Sequence, residues 1–150
     1  MLEEFNPDWS RLESSRIEPG HCYEWAYLLY EVERLTGRDT ASWRRRLIDF
    51  AEQTGLREGF VLDAIGVDPA THRLWPQLER FRALAHTPRP GVDLPAILDR
   101  IIESFLEPGP AHGWIDKVDA HHAPMVSAVP ASMLYHLMTA LAPVSPPPRS

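Results

Sequence analysis

Residues 18–29 read Glu18-Pro-Gly-His21-Cys-Tyr-Glu24-Trp25-Ala-Tyr-Leu-Leu and open the strongest helical pattern of the chain. From this stretch onward, apolar side chains recur three or four positions apart, at Trp25, Leu28, Leu29, Val32 and Leu35. This spacing places them on one face of an α-helix, and Gly37 is a typical residue to end it. The stretch therefore predicts a helix over residues 20–36.

The same helical period recurs four more times along the chain. Thr40 and Asp93 are residue types that cap helix starts, and proline suits a first turn. The predicted helices cover residues 41–54, 75–86, 93–107 and 131–142. We expect an all-α fold of about five helices. The first, third and fifth carry polar residues near their starts and are expected to form an inner layer beside an outer pair.

Two long loops, residues 56–72 and 109–130, separate the helices, and ordered loops of this length often carry function. Residues 60–65 are expected to form a short extended piece. Residues 114–116 and 125–129 are expected to pair as a short β-hairpin. The domain is expected to span residues 1–143, with a disordered, proline-rich tail over residues 144–150.

Composition restricts the class of protein. A chain of 150 residues is about one domain, and its net charge of −6 offers no basic field for a nucleic acid. The one basic run, residues 44–46, is interpreted as the solvated face of a helix. A single cysteine, Cys22, excludes an internal disulfide. With no secretory leader and no stretch long enough to span a membrane, we expect a soluble, cytoplasmic protein.

A base, a carboxylate and an indole ring that could form an aromatic wall share the first turns of the first helix. His21, Glu24 and Trp25 are spaced i, i+3 and i+4, which places them on one face. An imidazole titrates near neutral pH and is the most common general acid or base. His136, one turn into the fifth helix, is a second candidate. For both histidines the alternative is a structural side chain that is hydrogen-bonded within the helical array.

Arg73, Trp75 and Glu79 open the third helix in a combination that suits sugars. An indole ring stacks on sugar C–H faces, while a guanidinium and a carboxylate hydrogen-bond hydroxyl groups. The alternative is a core tryptophan beside a surface ion pair.

The second loop is rich in possible metal ligands: His112, Asp116, Asp119, His121 and His122. Their spacing matches no metal-binding pattern. We therefore expect no metal, and because the sequence has no GxGxxG or P-loop motif either, we expect no other cofactor.

Three motifs resemble the N-acylglucosamine 2-epimerase family, in the family's order. Glu18-Pro-Gly-His21-x-x-Glu24-Trp25 resembles its EPGH-x-x-EW motif, and Arg73-Leu-Trp75-Pro-Gln-x-Glu79 resembles its RLWPQ-x-E segment. Trp114-Ile-Asp116 followed by Pro130-Ala-Ser-x-x-Tyr135-His136 resembles its C-terminal signature, in the form typical of the mannose isomerase or mannose-6-phosphate isomerase branch.

This resemblance implies the fold and chemistry to expect. Family members form an (α/α)6 barrel, in which six helical hairpins make a ring and the inner helix starts line a pocket. The chain resembles only the C-terminal part of that barrel, about residues 3–143. It is therefore expected to expose apolar surface that self-associates or pairs with an N-terminal half.

The resemblance also implies roles for individual residues. His21 and His136 match two acid/base histidines that interconvert aldoses and ketoses, or epimerise C2, through a cis-enediol(ate). Glu24 matches a carboxylate that orients or polarises beside the first histidine, and Arg73 and Trp75 match the sugar-binding wall.

We therefore expect a sugar isomerase or epimerase that is incomplete as this chain alone. Mannose, its 6-phosphate and an N-acyl hexosamine all remain open as substrates. The alternative is a non-catalytic helical module that binds a carbohydrate or a partner protein. Exchange of sugar C–H protons would distinguish the two.

Overall fold

The computed structural model describes residues 6–10, 12, 16–109, 113–125 and 128–141. Within these ranges five α-helices and four short strands follow one another: α1 (Pro19–Thr36), α2 (Ala41–Thr54), β1 (Leu56–Arg57), β2 (Phe60–Val61), β3 (Thr71–Arg73), α3 (Leu74–His86), α4 (Leu94–Ile101), β4 (Lys117–Asp119) and α5 (Met133–Leu141). The expected all-α class is confirmed. The predicted tail, residues 144–150, and His112 lie outside the described residues.

The central element is α3, which is buried along most of its length. It packs against α1, α4 and α5, while α2 packs against α1. This order matches the predicted inner layer of α1, α3 and α5 with α2 and α4 outside. The described helices form an open array and do not close into a ring. None of them is long and apolar enough to cross a membrane.

Two apolar clusters hold the helices together. One joins α3 to α4, β4 and α5 around Leu78, Phe81 and Phe105, and the other joins α1 to α2 and α3 around Tyr23 and Ile48. Each fully buried large apolar side chain contributes about 1.5–3 kcal/mol of transfer free energy. The two clusters therefore fix the flanking helices against opposite parts of α3.

The helix ends follow the sequence signals in two places. Gly37 adopts the left-handed conformation with φ of 71°, and its N–H donates to the carbonyl of Glu33, which ends α1. The Asp93 carboxylate accepts from the N–H of Ala96 at 3.2 Å and caps α4. Beyond Ile101 the helix widens into a π-helical turn, Ile102–Leu106.

Polar contacts between α1 and α2 correct two predictions. The Thr40 hydroxyl does not cap α2 and instead lies 2.9 Å from both the Leu29 carbonyl oxygen and the Glu33 carboxylate. Arg44 is buried, pairs with Glu33 at 3.3 Å and covers the Tyr30 ring at 5.6 Å. Interpreting the whole basic run as solvated was therefore wrong at its first residue, because that residue faces α1.

The first long loop contains more strand than its composition indicates. β1 and β2 form an antiparallel hairpin with a two-residue turn, Glu58-Gly59, in which both residues have positive φ. Such turns match the natural twist of a hairpin. Of the extended piece expected over residues 60–65, only the first two residues form a strand, β2.

The prediction that residues 114–116 and 125–129 pair as a hairpin was wrong, because the strand in this region pairs with a different segment. β4 pairs in antiparallel register with β3, so that Arg73 lies opposite Lys117. Among the described residues, the contacts between this segment and residues 124–125 are an isolated bridge between Val118 and Pro124 and a 2.9 Å bond from the Met125 N–H to the Lys117 carbonyl. β3 leads directly into α3. Its pairing with β4 therefore brings β4 to the start of that helix.

We predict that Gly20→Ala destabilises the fold although alanine favours helices. An added Cβ would lie 2.5 Å from Cη2 of Trp75 and 2.9 Å from Cβ of Pro76, which are both held within the packed start of α3. Overpacking of this kind costs about 1–3 kcal/mol of unfolding free energy. Urea denaturation would measure the loss. Ser42→Ala on the exposed side of α2 is the control, and an unchanged midpoint for Gly20→Ala would contradict the packing described.

Candidate active site

The starts of α1, α3 and α5 converge on one side of the molecule and enclose a cavity of about 410 Å³. β3 and β4 complete its wall, because their pairing brings Asp116 beside the first residues of α3. The lining combines acids, bases and one indole ring: His21, Glu24, Arg73, Trp75, Asp116, Pro130, Ser132, Met133 and His136.

Trp75 lies between the two candidate histidines. Its ring centroid is 4.9 Å from that of His21 on α1 and 5.6 Å from that of His136 on α5. The close approach of Gly20 fixes the indole ring on the α1 side. Two imidazoles therefore line one cavity from different helices, with an aromatic surface between them.

A buried carboxylate contacts one of the two ring nitrogens of His136. Its Nδ1 lies 2.6 Å from Oε1 of Glu79, whose side chain has no solvent contact. An ionised carboxylate only accepts hydrogen bonds, which assigns the hydrogen of neutral His136 to Nδ1. The opposite ring nitrogen, Nε2, is then left as the acceptor that serves the cavity.

Glu79 is in turn paired with Arg82, one helical turn further along α3. Arg82 donates to Oε2 of Glu79 and, at 2.6 Å, to the Thr139 hydroxyl of α5. Its guanidinium lies 4.1 Å from the Tyr27 ring centroid of α1 and 5.6 Å from that of Tyr135. Arg82 is fully buried, so that α1, α3 and α5 meet around one charged group.

A second charged cluster lies on the strand side of the cavity. The buried carboxylate of Asp63 is 3.2 Å from Nε of Arg73 and 3.0 Å from Nζ of Lys117. Burial raises the pKa of Asp116, and Asp63 adds to this increase while Arg73 and Lys117 oppose it. Perturbed carboxyl groups in a cleft are typical of functional sites.

The structure brings together most of the predicted site residues, with two exceptions. Glu79 does not line the cavity: both of its oxygens are engaged by protein groups, so it has no atom available for a sugar. Trp25 is 46% exposed and lies outside the lining. The aromatic wall of the cavity comes from Trp75, which was also expected there, and not from Trp25.

Two important residues were not predicted. Asp63 lies in an irregular loop, where no periodicity indicates burial. Arg82 follows Glu79 at spacing i, i+3, which more commonly marks an exposed ion pair. A signal was nevertheless present, since Glu79 and Arg82 lie among the apolar residues Leu78, Phe81, Ala83 and Leu84 of the same helix.

The histidine and aspartate loop has structural contacts in the described residues. Oδ1 of Asp119 accepts from the N–H groups of His121 and Ala123 and so closes the turn. The His122 ring packs 4.5 Å from that of Phe60. Among the described ranges, no cluster of three or more histidine, cysteine, aspartate or glutamate side chains has the geometry to hold a metal ion.

The fold and this cavity define a class: a helical protein in which two imidazoles from different helices face one sugar-sized polar cavity. The model of the N-acylglucosamine 2-epimerase (GlcNAc 2-epimerase) family matches residues 1–140. The chain belongs to this family.

Individual relatives agree with this membership. Mannose-6-phosphate isomerase of Rhizobium meliloti (strain 1021) is 32% identical over 164 residues, which cover 94% of this chain and 41% of the relative. The chain thus spans about two fifths of that protein's length.

Solved structures show the same fold. A crystal structure of D-mannose isomerase matches with a TM-score of 0.74 and 19% identity, over 93% of this chain and 42% of that one. PssZ from Listeria monocytogenes matches with a TM-score of 0.57 and 12% identity, over 93% of this chain and 49% of that one. Both therefore share the fold of this chain across part of their length.

We predict that Asp116→Asn stabilises the protein at neutral pH. A carboxyl group whose pKa is raised by folding binds its proton more tightly in the folded state, so ionisation above pH 3.8 favours the unfolded chain. Asparagine removes this penalty near pH 7 and changes little near pH 3, where aspartic acid is protonated in both states. Urea midpoints at the two pH values test this, and a lower midpoint for Asp116→Asn at pH 7 would contradict it.

Proposed function

We propose that this chain carries the proton-transfer site of a sugar isomerase or epimerase that acts through a cis-enediol(ate). One observation carries the proposal: His21 and His136 flank Trp75 in one cavity, with ring centroids 4.9 and 5.6 Å from the indole centroid. Family membership supports isomerase or epimerase chemistry in general.

In the proposed reaction an imidazole takes the proton from the carbon next to the sugar carbonyl. The electron pair of that C–H bond forms a C=C bond, and the carbonyl electrons move onto oxygen. For the ketose, the 2-hydroxyl proton moves to the former carbonyl oxygen, C2=O forms, and the abstracted proton returns to the former carbonyl carbon. Return of the proton to the opposite face of C2, with the original carbonyl restored, gives the epimer. One base suffices for the first outcome and two bases on opposite faces permit the second. Neither requires a metal or a redox cofactor.

The other cavity residues have complementary roles in this proposal. Trp75 provides a surface for the sugar C–H face, and Arg73 donates to hydroxyl or enediolate oxygens. Glu24, beside His21 on α1, orients a hydroxyl group. Glu79 acts behind His136 as a positioning residue, because its contact with the Nδ1 edge fixes the ring and its tautomer.

The charges around the cavity favour an unphosphorylated sugar. Arg73 is the only permanent cation among the described lining residues, and it shares the Asp63 carboxylate with Lys117. Glu24 and Asp116 add two carboxyl groups to the same lining. A phosphate group needs cations that are not already paired. We therefore propose free mannose in preference to mannose 6-phosphate.

We predict that the chain exchanges the C2 proton of mannose in D2O, as followed by loss of its proton NMR signal. His21→Ala and His136→Ala should each slow exchange by roughly 10²-fold or more, the usual contribution of a general acid or base. His121→Ala, at an exposed turn, is the matched control and should exchange at the full rate. Mannose 6-phosphate should exchange more slowly than mannose.

Exchange that survives in both histidine variants would contradict the assignment of the two bases. The second candidate function, a non-catalytic carbohydrate-binding or partner-binding module, is favoured by the coverage of only 41–42% of the isomerase relatives. In that case the folded chain would bind mannose without any exchange.

We further propose that the open edges of the helical array are covered in the working protein by a second copy or by further helices. The α1 edge and the α5 edge each expose a stripe of apolar side chains: Trp25, Leu28, Val32 and Leu35, and Leu134, Tyr135 and Met138. Contiguous apolar stripes of this kind mark interaction surfaces.

For the 150-residue chain, we predict self-association that sedimentation velocity detects. Leu35→Glu and Met138→Glu, at positions 71% and 67% exposed, should shift the chain towards monomer because they place a charge in each stripe. Val67→Glu, on an exposed loop, should not. A chain that stays monomeric at every concentration would contradict coverage by a second copy.

A further inference from the structure

Arg82 is a fully buried cation that, like its partner Glu79, is not among the residues that line the cavity. It donates to Glu79 and to Thr139, and it lies between the rings of Tyr27 and Tyr135. α1, α3 and α5 all contribute to these contacts, and the guanidinium has no solvent contact. The anion that compensates its charge is the Glu79 carboxylate.

Arg82 compensates the negative charge of the buried Glu79 carboxylate. The Glu79 side chain has no solvent contact, and a buried carboxylate without a neighbouring cation takes up a proton. Arg82 occupies Oε2, which leaves Oε1 for Nδ1 of His136 at 2.6 Å. Glu79 thus links Arg82 to His136, because one carboxylate oxygen binds the guanidinium and the other binds the imidazole.

The tautomer of His136 follows from this arrangement. When Oε1 accepts from Nδ1–H, the neutral ring carries no hydrogen on Nε2, the nitrogen available to the cavity. If Glu79 lost its cation, it would share a proton with the imidazole, either as an acid that donates to Nδ1 or as the partner of an imidazolium. In both forms Nε2 carries a hydrogen and cannot accept a proton.

We propose that Arg82 is a positioning residue that sets the protonation state of the Glu79–His136 pair and so keeps Nε2 of His136 as an acceptor. That His136 uses this acceptor nitrogen in catalysis rests on the proposed function. The protonation state of its ring does not, so the two claims can be tested separately.

The test is nitrogen NMR of the histidine rings in the full chain at about pH 8, where an ordinary histidine is neutral. The Nε2 signal of His136, assigned by its loss in His136→Ala, should report a bare nitrogen in the parent chain and a protonated nitrogen in Arg82→Met. Arg82→Lys, which keeps the charge, should restore most of the bare form. Arg34→Met is the matched control, because Arg34 pairs with Glu31 at the same i, i+3 spacing on the surface of α1.

A second variant covers the case in which Arg82→Met does not fold. In Glu79→Gln the one amide oxygen is claimed by Arg82, so the NH2 group faces Nδ1 of His136. The ring must then accept at Nδ1 and carry its hydrogen on Nε2. Finding Nε2 bare in folded Glu79→Gln, or in folded Arg82→Met, would overturn the proposal.

Exchange kinetics separate this inference from the proposed function. If both are correct, Arg82→Met should slow C2 proton exchange of mannose by roughly 10²-fold and alter its pH profile, while Arg34→Met leaves both unchanged. If the parent chain shows no exchange but the NMR shifts occur as expected, the positioning role stands and the proposed function fails.

Discussion

The buried ion pair between Glu79 and Arg82 is the interaction on which the inner layer depends. Both residues belong to α3, but their contacts extend to Tyr27 on α1 and to His136 and Thr139 on α5. Removing one member of a buried pair costs about 3–5 kcal/mol, because the other charge is left without compensation. The same pair joins the three helices and holds one of the two imidazoles. The stability of the inner layer and the position of His136 therefore depend on the same interaction.

The cavity is built mostly on rigid elements. His21, Trp75 and His136 come from three helices that pack on one another, which holds ring positions more closely than loops would. Arg73 ends β3 and Asp116 directly precedes β4, and the buried Asp63 carboxylate compensates the charge of Arg73. The cavity thus has a helical side that carries two imidazoles and a strand side that carries charged groups.

Much of this arrangement could be predicted from the sequence, and the remainder could not for physical reasons. The apolar period located every helix, and the spacing of His21 and Glu24 placed both on the face that lines the cavity. The burial of Glu79 escaped prediction because an i, i+3 acid–base pair looks the same on a surface as in a core. The pairing of β3 with β4 joins segments more than 40 residues apart, and two- or three-residue strands leave little local pattern.

The central claim is that His21 and His136 serve one sugar site across Trp75. The most direct measurement is a titration of the chain with mannose, in which the ring signals of all histidines are followed by NMR. If the two rings share one site, the signals of His21 and His136 shift together and saturate at one mannose concentration, while those of His121 stay in place. Shifts of only one of the two rings, or saturation at two different concentrations, would contradict a shared site.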